Sequence, residues 1–455
     1  MEQEENTSVS LLGRVCNLLD RFTGDKVIFL IALFLMLISV ISVFSSTPLL
    51  ARELGTGRMS IMVTQLKAVA LGFGIIFLLY YFGKMEWYRS LSKLGFVVSF
   101  LILVMLVFHL NFGFIKASSI NGAWRVLSVA GKQIHVYEFV KVFMIMYLGW
   151  ALDTFKNHGF KLLPRIASLS DKLAFLQKDI WLKLLYIYFP IASTTLMIMM
   201  GSNSSAIFIG GIMILMILVG GIDKKDVAFM FIVLLLGVGC MYGAYKMGWL
   251  KNSRIGTAIS RITQNDDDTM DKLVHSQRGS KDWNDARDEL QQPVGALLAI
   301  KEGGLLGKGI GNSTQKYAVP VIFGDYMFSF IVEETGLWGA ALLILLYFSL
   351  LARGTLVAKN CDKYYDKMIV TGLTILVTAQ AFMHMAVNVH LPFVPQTGQT
   401  LPLVSHGTNS LLVFSLVFGI LLSISKDARE NLAKKEAEAE PIVEHLTEWT
   451  QNTTQ

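Results

Sequence analysis

The sequence predicts an all-α, polytopic membrane protein, and three observations carry that reading. Of its 455 residues 53% are hydrophobic and only 16% charged, with a mean hydropathy of +0.52; an ordinary soluble domain carries about 25% charged residues. Apolar runs recur near the roughly 20 residues that a helix needs to cross about 30 Å of hydrocarbon. The basic residues fall unevenly between those runs.

Ten segments qualify as transmembrane helices: 27–47, 61–82, 95–115, 137–152, 184–200, 205–222, 227–247, 326–352, 368–390 and 403–425. The fourth and fifth are short. The first follows the acidic stretch "MEQEEN" at too great a distance to read as a cleaved signal peptide. The chain thus divides into a cytoplasmic N-terminus (1–26), helices one to seven (27–247), a large extracytoplasmic loop between helices 7 and 8 (248–325), helices eight to ten with a re-entrant loop at 391–408 (326–425), and a charged cytoplasmic tail (426–455). With both termini inside, 22 Lys and Arg lie on the cytoplasmic side against 5 in the short outer loops. Another 10 sit in the long loop, which counts little under the positive-inside rule. The net charge of +6 is therefore topology, not a nucleic-acid patch. Cys16, Cys240 and Cys361 are too scattered for a disulfide framework or a zinc site.

The long loop contains "RDELQQPVGALLAI", with apolar positions near helical spacing, and then "KEGGLLGKGIGNSTQKY". Glycines 303, 304, 307, 309 and 311 imply a tight turn with exposed backbone. An amphipathic piece followed by such a turn suits a structure lying on the membrane surface.

Ionisable groups at membrane depth are costly and mark function. Lys67 lies near the outer end of the second helix, either as a snorkelling interface lysine or as part of a site. Glu138 and Lys141 open the fourth helix three residues apart, on one face, where each partly neutralises the other. With Arg125 and Trp124 in the preceding "NGAWRVL", they form a candidate anion site for a phosphate-bearing ligand. The segment "HLPFVPQTGQTLPLVSHGTNS" holds Pro392, Pro395, Pro402, Gly398 and Gly407 and no Lys or Arg. It cannot be regular helix and reads as a re-entrant cap lining a site. Its Ser405 and His406 have no acid nearby and do not make a nucleophile–base pair. His384 and His390, six apart, do not share a helix face, so no metal site is expected. Asp325, in "VIFGDYMFSFIVEETG", has two readings: an acidic helix cap, or a site carboxylate. Glu333 and Glu334, more than two turns further on, suggest a helix that lines a polar cavity.

Taken in order, "WRVL…EFVK", "GGLLGKGIGNSTQK", "GDYMFSFIVEETGLWGA" and "LPFVPQTGQTLPLVSHGTNSLLVFSLVFGILLSIS" resemble the SEDS family (the FtsW/RodA/SpoVE proteins), from the first helix to the last. The resemblance implies a glycosyltransferase that polymerises lipid II into glycan strands at the outer face of the bacterial cytoplasmic membrane, with inversion at the anomeric carbon. Implied partners are lipid II, the nascent strand, a class B penicillin-binding protein and other division or elongation proteins. Asp325 would be the catalytic base, with Arg125 and Lys141 holding diphosphate and Glu138 orienting Lys141. Trp124, Lys67, Pro395, Ser405 and Gly407 complete the expected substrate-binding set. No cofactor is expected; a divalent cation at the diphosphate stays open, since no ligand cluster stands out. The first helix, "GDKVIFLIALFLMLISVISVFSS", leans toward the FtsW-like branch over the RodA-like one.

The chain also departs from the family pattern. "GSNSSA" (201–206) replaces the usual "PDxGT", which weakens any role for that segment. Ser405–Thr408 replaces "SYGG", and "VPVIFG" replaces "PEAHT" before Asp325. A lipid-precursor flippase or other transporter and a non-catalytic division scaffold are the rival readings. Polar groups gathered on the outer side, rather than along a path to both faces, favour the enzyme.

Overall fold

The structure, a computed structural model, describes residues 22–120, 123–129, 131–168, 170, 175–222, single positions between 225 and 247, 266–391, 394 and 397–453. Most of the expected seventh helix, the loop segment 248–265 and Pro395 lie outside the described residues.

The elements run α1 (Lys26–Ser46), a short α2 (Pro48–Glu53), α3 (Arg58–Phe82), α4 (Met85–Val107), strands β1 (Asn111–Phe112), β2 (Ile115–Ile120), β3 (Ala123–Val129) and β4 (Lys132–His135), then α5 (Val136–Lys156) and α6 (Leu162–Ala167). They continue through α7 (Asp179–Gly201), α8 (Asn203–Val219), α9 (Asp266–His275), α10 (Lys281–Gly303), α11 (Met327–Asn360), α12 (Tyr364–Asn388) and α13 (Thr408–Thr453). Among the described residues, seven helices are long and apolar enough to cross a membrane: α1, α3, α4, α7, α11, α12 and α13 up to Lys434. Helix α8 is apolar but shorter. Helix α5 is the buried centre of the bundle, with most of its length inaccessible. Its four charged residues, Glu138, Lys141, Asp153 and Lys156, lower its hydropathy, which is why its span looked short in sequence.

Some helices start on a side-chain cap. Asp25 caps α1, its Oδ1 accepting from the backbone NH of Val27 and Ile28 at 3.0 Å. The same carboxylate receives Arg353 of α11 at 2.6 Å, and the Asp25 NH donates to Ser425 of α13 at 2.9 Å. One residue thus ties three helices at one end of the bundle. Ser202 caps α8 through the Ser205 NH.

Two features depart from a simple row of helices. The described residues between 111 and 135 form a four-stranded antiparallel sheet in the order β1-β2-β3-β4, between α4 and α5. The β2–β3 register pairs Ser119 with Trp124 and Ser118 with Val126, so Arg125 is the extra residue of a β-bulge. Bulges re-aim side chains and occur beside functional sites. The second feature is a break in α11 at Gly336 (φ 72°, ψ −168°). The carbonyls freed there accept from the glycine turn: Lys308 NH to Glu333 O and Gly309 NH to Glu334 O, each at 2.9 Å. A side chain at Gly336 would sit 2.3 Å from the Leu305 carbonyl, so only glycine admits this approach. The expected eighth helix is therefore a short N-terminal piece, Met327–Thr335, and a longer one beyond the break.

Candidate functional site

Asp325 immediately precedes the short piece of α11. The Tyr326 N-cap makes no side-chain cap bond, so the cap reading of Asp325 fails. The donors that a cap would satisfy are taken from α12 instead. His384 Nε2 accepts from the Phe328 NH at 3.3 Å, and Asn388 Oδ1 accepts from the Ser329 NH at 2.9 Å. Asn388 Nδ2 donates to the Asp325 carbonyl at 3.0 Å. His384 and Asn388, four residues apart on one helix face, thereby fix the Asp325 backbone and leave its carboxylate without structural duty. Neither was singled out in the sequence for this role. Their only signal is that two polar residues, four apart, sit in the mostly apolar second half of the helix.

The Asp325 carboxylate is half-buried. Burial raises its pKa to about 6, partly offset by the Arg125 guanidinium. It lies against residues 397–400: an atom added at Gly398 as Cβ would be 3.1 Å from Asp325 Oδ2. Gln399, the next residue, leads to the second part of the site. Its Oε1 accepts from Lys141 Nζ at 3.2 Å, its Nε2 donates to Ser205 Oγ at 3.1 Å, and its carbonyl pairs with His384 Nδ1 at 2.7 Å. Asp325 and the Glu138–Lys141 pair are therefore joined by a polar strap, not divided by an apolar wall.

Lys141 is 1% exposed and gives its three protons to Glu138 Oε1 (2.8 Å), Gln380 Oε1 (2.7 Å) and Gln399 Oε1. In this arrangement all three ammonium donors are engaged within the protein. Lys141 acts as the knot that holds α5, α12 and the strap together. Glu138 does orient Lys141, and its Oε2 is buried with no hydrogen-bond partner. Arg125 has the opposite character. It is half-buried, its Nε lacks a partner, and its charge acts on both Asp325 and His135. Burial, then Arg125, holds the His135 pKa below the ordinary value, so the neutral ring adds no second cation beside the guanidinium.

The remaining expected residues separate clearly. Trp124 is half-buried, stacked on His109 at 4.0 Å between ring centroids, while its carbonyl accepts from Tyr137 at 3.1 Å. Ser405 is 3% exposed; its hydroxyl donates to the Gly324 carbonyl at 2.7 Å and accepts from the Leu401 NH at 2.9 Å. It folds the loop onto the residue before Asp325, so it positions the site and is not free to bind substrate. Gly407 starts α13, its carbonyl receiving the Leu411 NH. Lys67 is exposed on α3 and does not join this network. The buried polar residue there is Gln65, which donates to Ser39 and meets His406 Nδ1 at 3.1 Å. Ser205 shows that the divergent 201–206 segment does reach the site.

Glu333 and Glu334 are buried and taken up by contacts to the loop that follows α10. Glu333 is fully buried and bound by Lys308 Nζ (2.8 Å), Ser313 Oγ (2.5 Å) and the Thr314 NH (2.7 Å). Glu334 accepts from Ser45 Oγ (2.6 Å) and the Gly311 NH (2.9 Å), with Lys316 Nζ at 4.0 Å. They clamp the glycine turn to the break in α11. Among the described residues no group of three or more His, Cys, Asp or Glu is arranged to hold a metal ion.

The family profile described as "Cell cycle protein", that of FtsW, RodA and SpoVE, matches residues 25–430. The chain belongs to the FtsW/RodA/SpoVE family. Its relatives include stage V sporulation protein E of Bacillus subtilis, 27% identical over 415 residues (89% of this chain, 98% of the relative). A probable peptidoglycan glycosyltransferase FtsW of Geobacter sulfurreducens is 24% identical over 404 residues (88% and 95%). Among solved structures, a chain from a study of how a peptidoglycan synthase complex coordinates polymerisation and crosslinking superposes with a TM-score of 0.64 at 19% identity, covering 89% of this chain and 98% of its own. The crystal structure of Thermus thermophilus RodA gives 0.54 at 18% identity (89% and 97%). These likenesses establish the FtsW/RodA/SpoVE fold for this multi-pass, mainly helical membrane protein.

Proposed function

We propose that this protein is a peptidoglycan glycosyltransferase, that it polymerises lipid II at the outer face of the bacterial cytoplasmic membrane, and that Asp325 is its general base. The name borne by its FtsW relatives supplies the reaction class. The observation that carries the residue assignment is that His384 and Asn388 take over helix capping beside a half-buried carboxylate facing Arg125.

The chemistry follows from the groups. Extending a strand requires removal of a proton from the sugar hydroxyl of the acceptor as it attacks the anomeric carbon of the donor, with diphosphate leaving from the opposite side. That geometry inverts the carbon. A carboxylate with its pKa raised to about 6 stays ionised at neutral pH yet is a stronger base than an ordinary aspartate. Sugars on a lipid-anchored substrate remain near the membrane surface, which is where the head of α11 would place the base. Arg125 is the cation for the leaving diphosphate, since a bulge aims it and it keeps donor capacity. The Lys141–Gln399 knot holds the strap, and through Gly398 the strap fixes the distance to Asp325.

The charge distribution supports both termini in the cytoplasm. A crosslinking transpeptidase of the class B penicillin-binding type is the partner suggested by the synthase-complex neighbour. The FtsW relatives support the lean toward the FtsW-like branch. Purified protein incubated with lipid II tests the reading. Formation of glycan strands is expected. Translocation of lipid II without polymer would instead show a transporter, and neither activity a scaffold. Adding a chelator to the same assay shows whether a divalent ion carried by the diphosphate contributes.

A further inference from the structure

A second site lies at the other end of the bundle. Between α4, α5, α7 and the start of α6 is a cavity of about 600 Å³. Thr154 on its wall is 13 residues along α5 from Lys141, about 20 Å of helix away. We infer that this cavity binds the phosphate headgroup of an anionic phospholipid from the leaflet at that end.

Charge, aromatic surface and an unmet hydrogen bond all point the same way. Lys93 and Lys161 line the cavity and are both exposed. Lys161 has no ion-pair partner among the described residues, and Lys93 Nζ stands 5.7 Å from the centroid of Trp150. Arg89 also lines it but is committed to Asp153 at 2.6 Å, so the uncompensated charge belongs to the two lysines. Inside the basic mouth, Phe160 stacks on Tyr186 at 4.0 Å with 8° between planes, and Trp150 meets Phe160 edge-on at 6.0 Å. Such a floor suits glycerol and the first acyl carbons. Thr154 is 5% exposed, and its Oγ1 is buried without a partner. A buried hydroxyl lacking a partner costs free energy, and a turn about χ1 would let a phosphate oxygen accept from it.

An interfacial belt of lysine and tryptophan needs neither a cavity nor an orphaned hydroxyl. Basic pockets between transmembrane helices are a recognised way of holding anionic headgroups. The cavity shares no residue with the Asp325 site, so occupancy does not depend on the reaction assigned there.

The full-length protein in detergent is titrated with phosphatidylglycerol, phosphatidylcholine or inorganic phosphate, and bound molecules are counted by native mass spectrometry. One phosphatidylglycerol should be retained in preference to phosphatidylcholine. Lys93→Gln with Lys161→Gln should weaken that retention about thirtyfold. Both positions are exposed, so folding is not at issue. Thr154→Val, which keeps the side-chain volume, should weaken it about tenfold. Equal retention of the two lipids, or unchanged retention in both variants, overturns the site. Displacement of phosphatidylglycerol by equimolar inorganic phosphate overturns the lipid as its source.

Discussion

Asp325 and Glu333 are carboxylates at the two ends of one short piece of helix, Asp325 just before its start, and the protein uses them in opposite ways. Glu333 sits at the C-terminal end, where the helix dipole disfavours an anion. It is held there by a lysine, two hydroxyls and two backbone NH groups from the glycine turn. Asp325 sits at the N-terminal end, where an anion is welcome and would ordinarily cap. There His384 and Asn388 have taken the capping donors. A carboxylate with every lone pair engaged is structure, and one relieved of its local partners is free for chemistry. Burial alone does not distinguish them; the hydrogen-bond accounting does.

The comparison predicts different failures when each end is altered. Glu333→Gln removes the charge that Lys308 and two backbone donors require. Breaking a buried pair on one side costs about 3–5 kcal/mol, so lower thermal stability and faster hydrogen exchange across residues 303–316 are expected. An unchanged melting temperature would mean that the clamp is decorative. At the other end, Arg125→Gln should leave melting unchanged and weaken donor use roughly tenfold to a hundredfold, the range for a hydrogen bond to a charged group. Normal kinetics would remove Arg125 from the site. Gly398→Ala places a methyl 3.1 Å from Asp325 Oδ2 and should lower kcat about tenfold with little effect on folding, because small displacements of a catalytic group are costly. Lys67→Ala should change neither stability nor turnover, as Lys67 is exposed and outside the network.

Much of the fold was legible because apolar length and basic-residue placement are one-dimensional signals. The described spans overlap the apolar runs, although α4, Met85–Val107, starts ten residues before the expected 95–115, whose end falls in β1 and β2. The sheet between 111 and 135 was not legible: its strands are short, and helix-length windows absorb or overlook them. The break at Gly336 was equally hidden, since one glycine in an apolar run looks like a tolerated residue until another loop takes its carbonyls. At the site, Asp325, Arg125 and Glu138 could be singled out because charge near hydrocarbon is conspicuous. Gln65, Gln380, Gln399, His384 and Asn388 were not, because uncharged polar residues in helices and loops are common and gain meaning only from their partners. Lys141 stood out by its charge, but a sequence shows that a charge is present and not that its donors are engaged by Glu138, Gln380 and Gln399.

The most direct test is Asp325→Asn, assayed for strand synthesis from lipid II and for thermal stability across pH. A carboxyl whose folded pKa is raised favours the folded state when protonated, and that contribution is lost as pH rises through about 6. The neutral amide should therefore melt no lower than the parent at pH 7, while strand synthesis falls about 10²–10⁴-fold. The parent's own activity should decline as pH drops below about 6. Strand synthesis by Asp325→Asn at the parent's rate, or its loss only together with the fold, would contradict the assignment of Asp325 as the base.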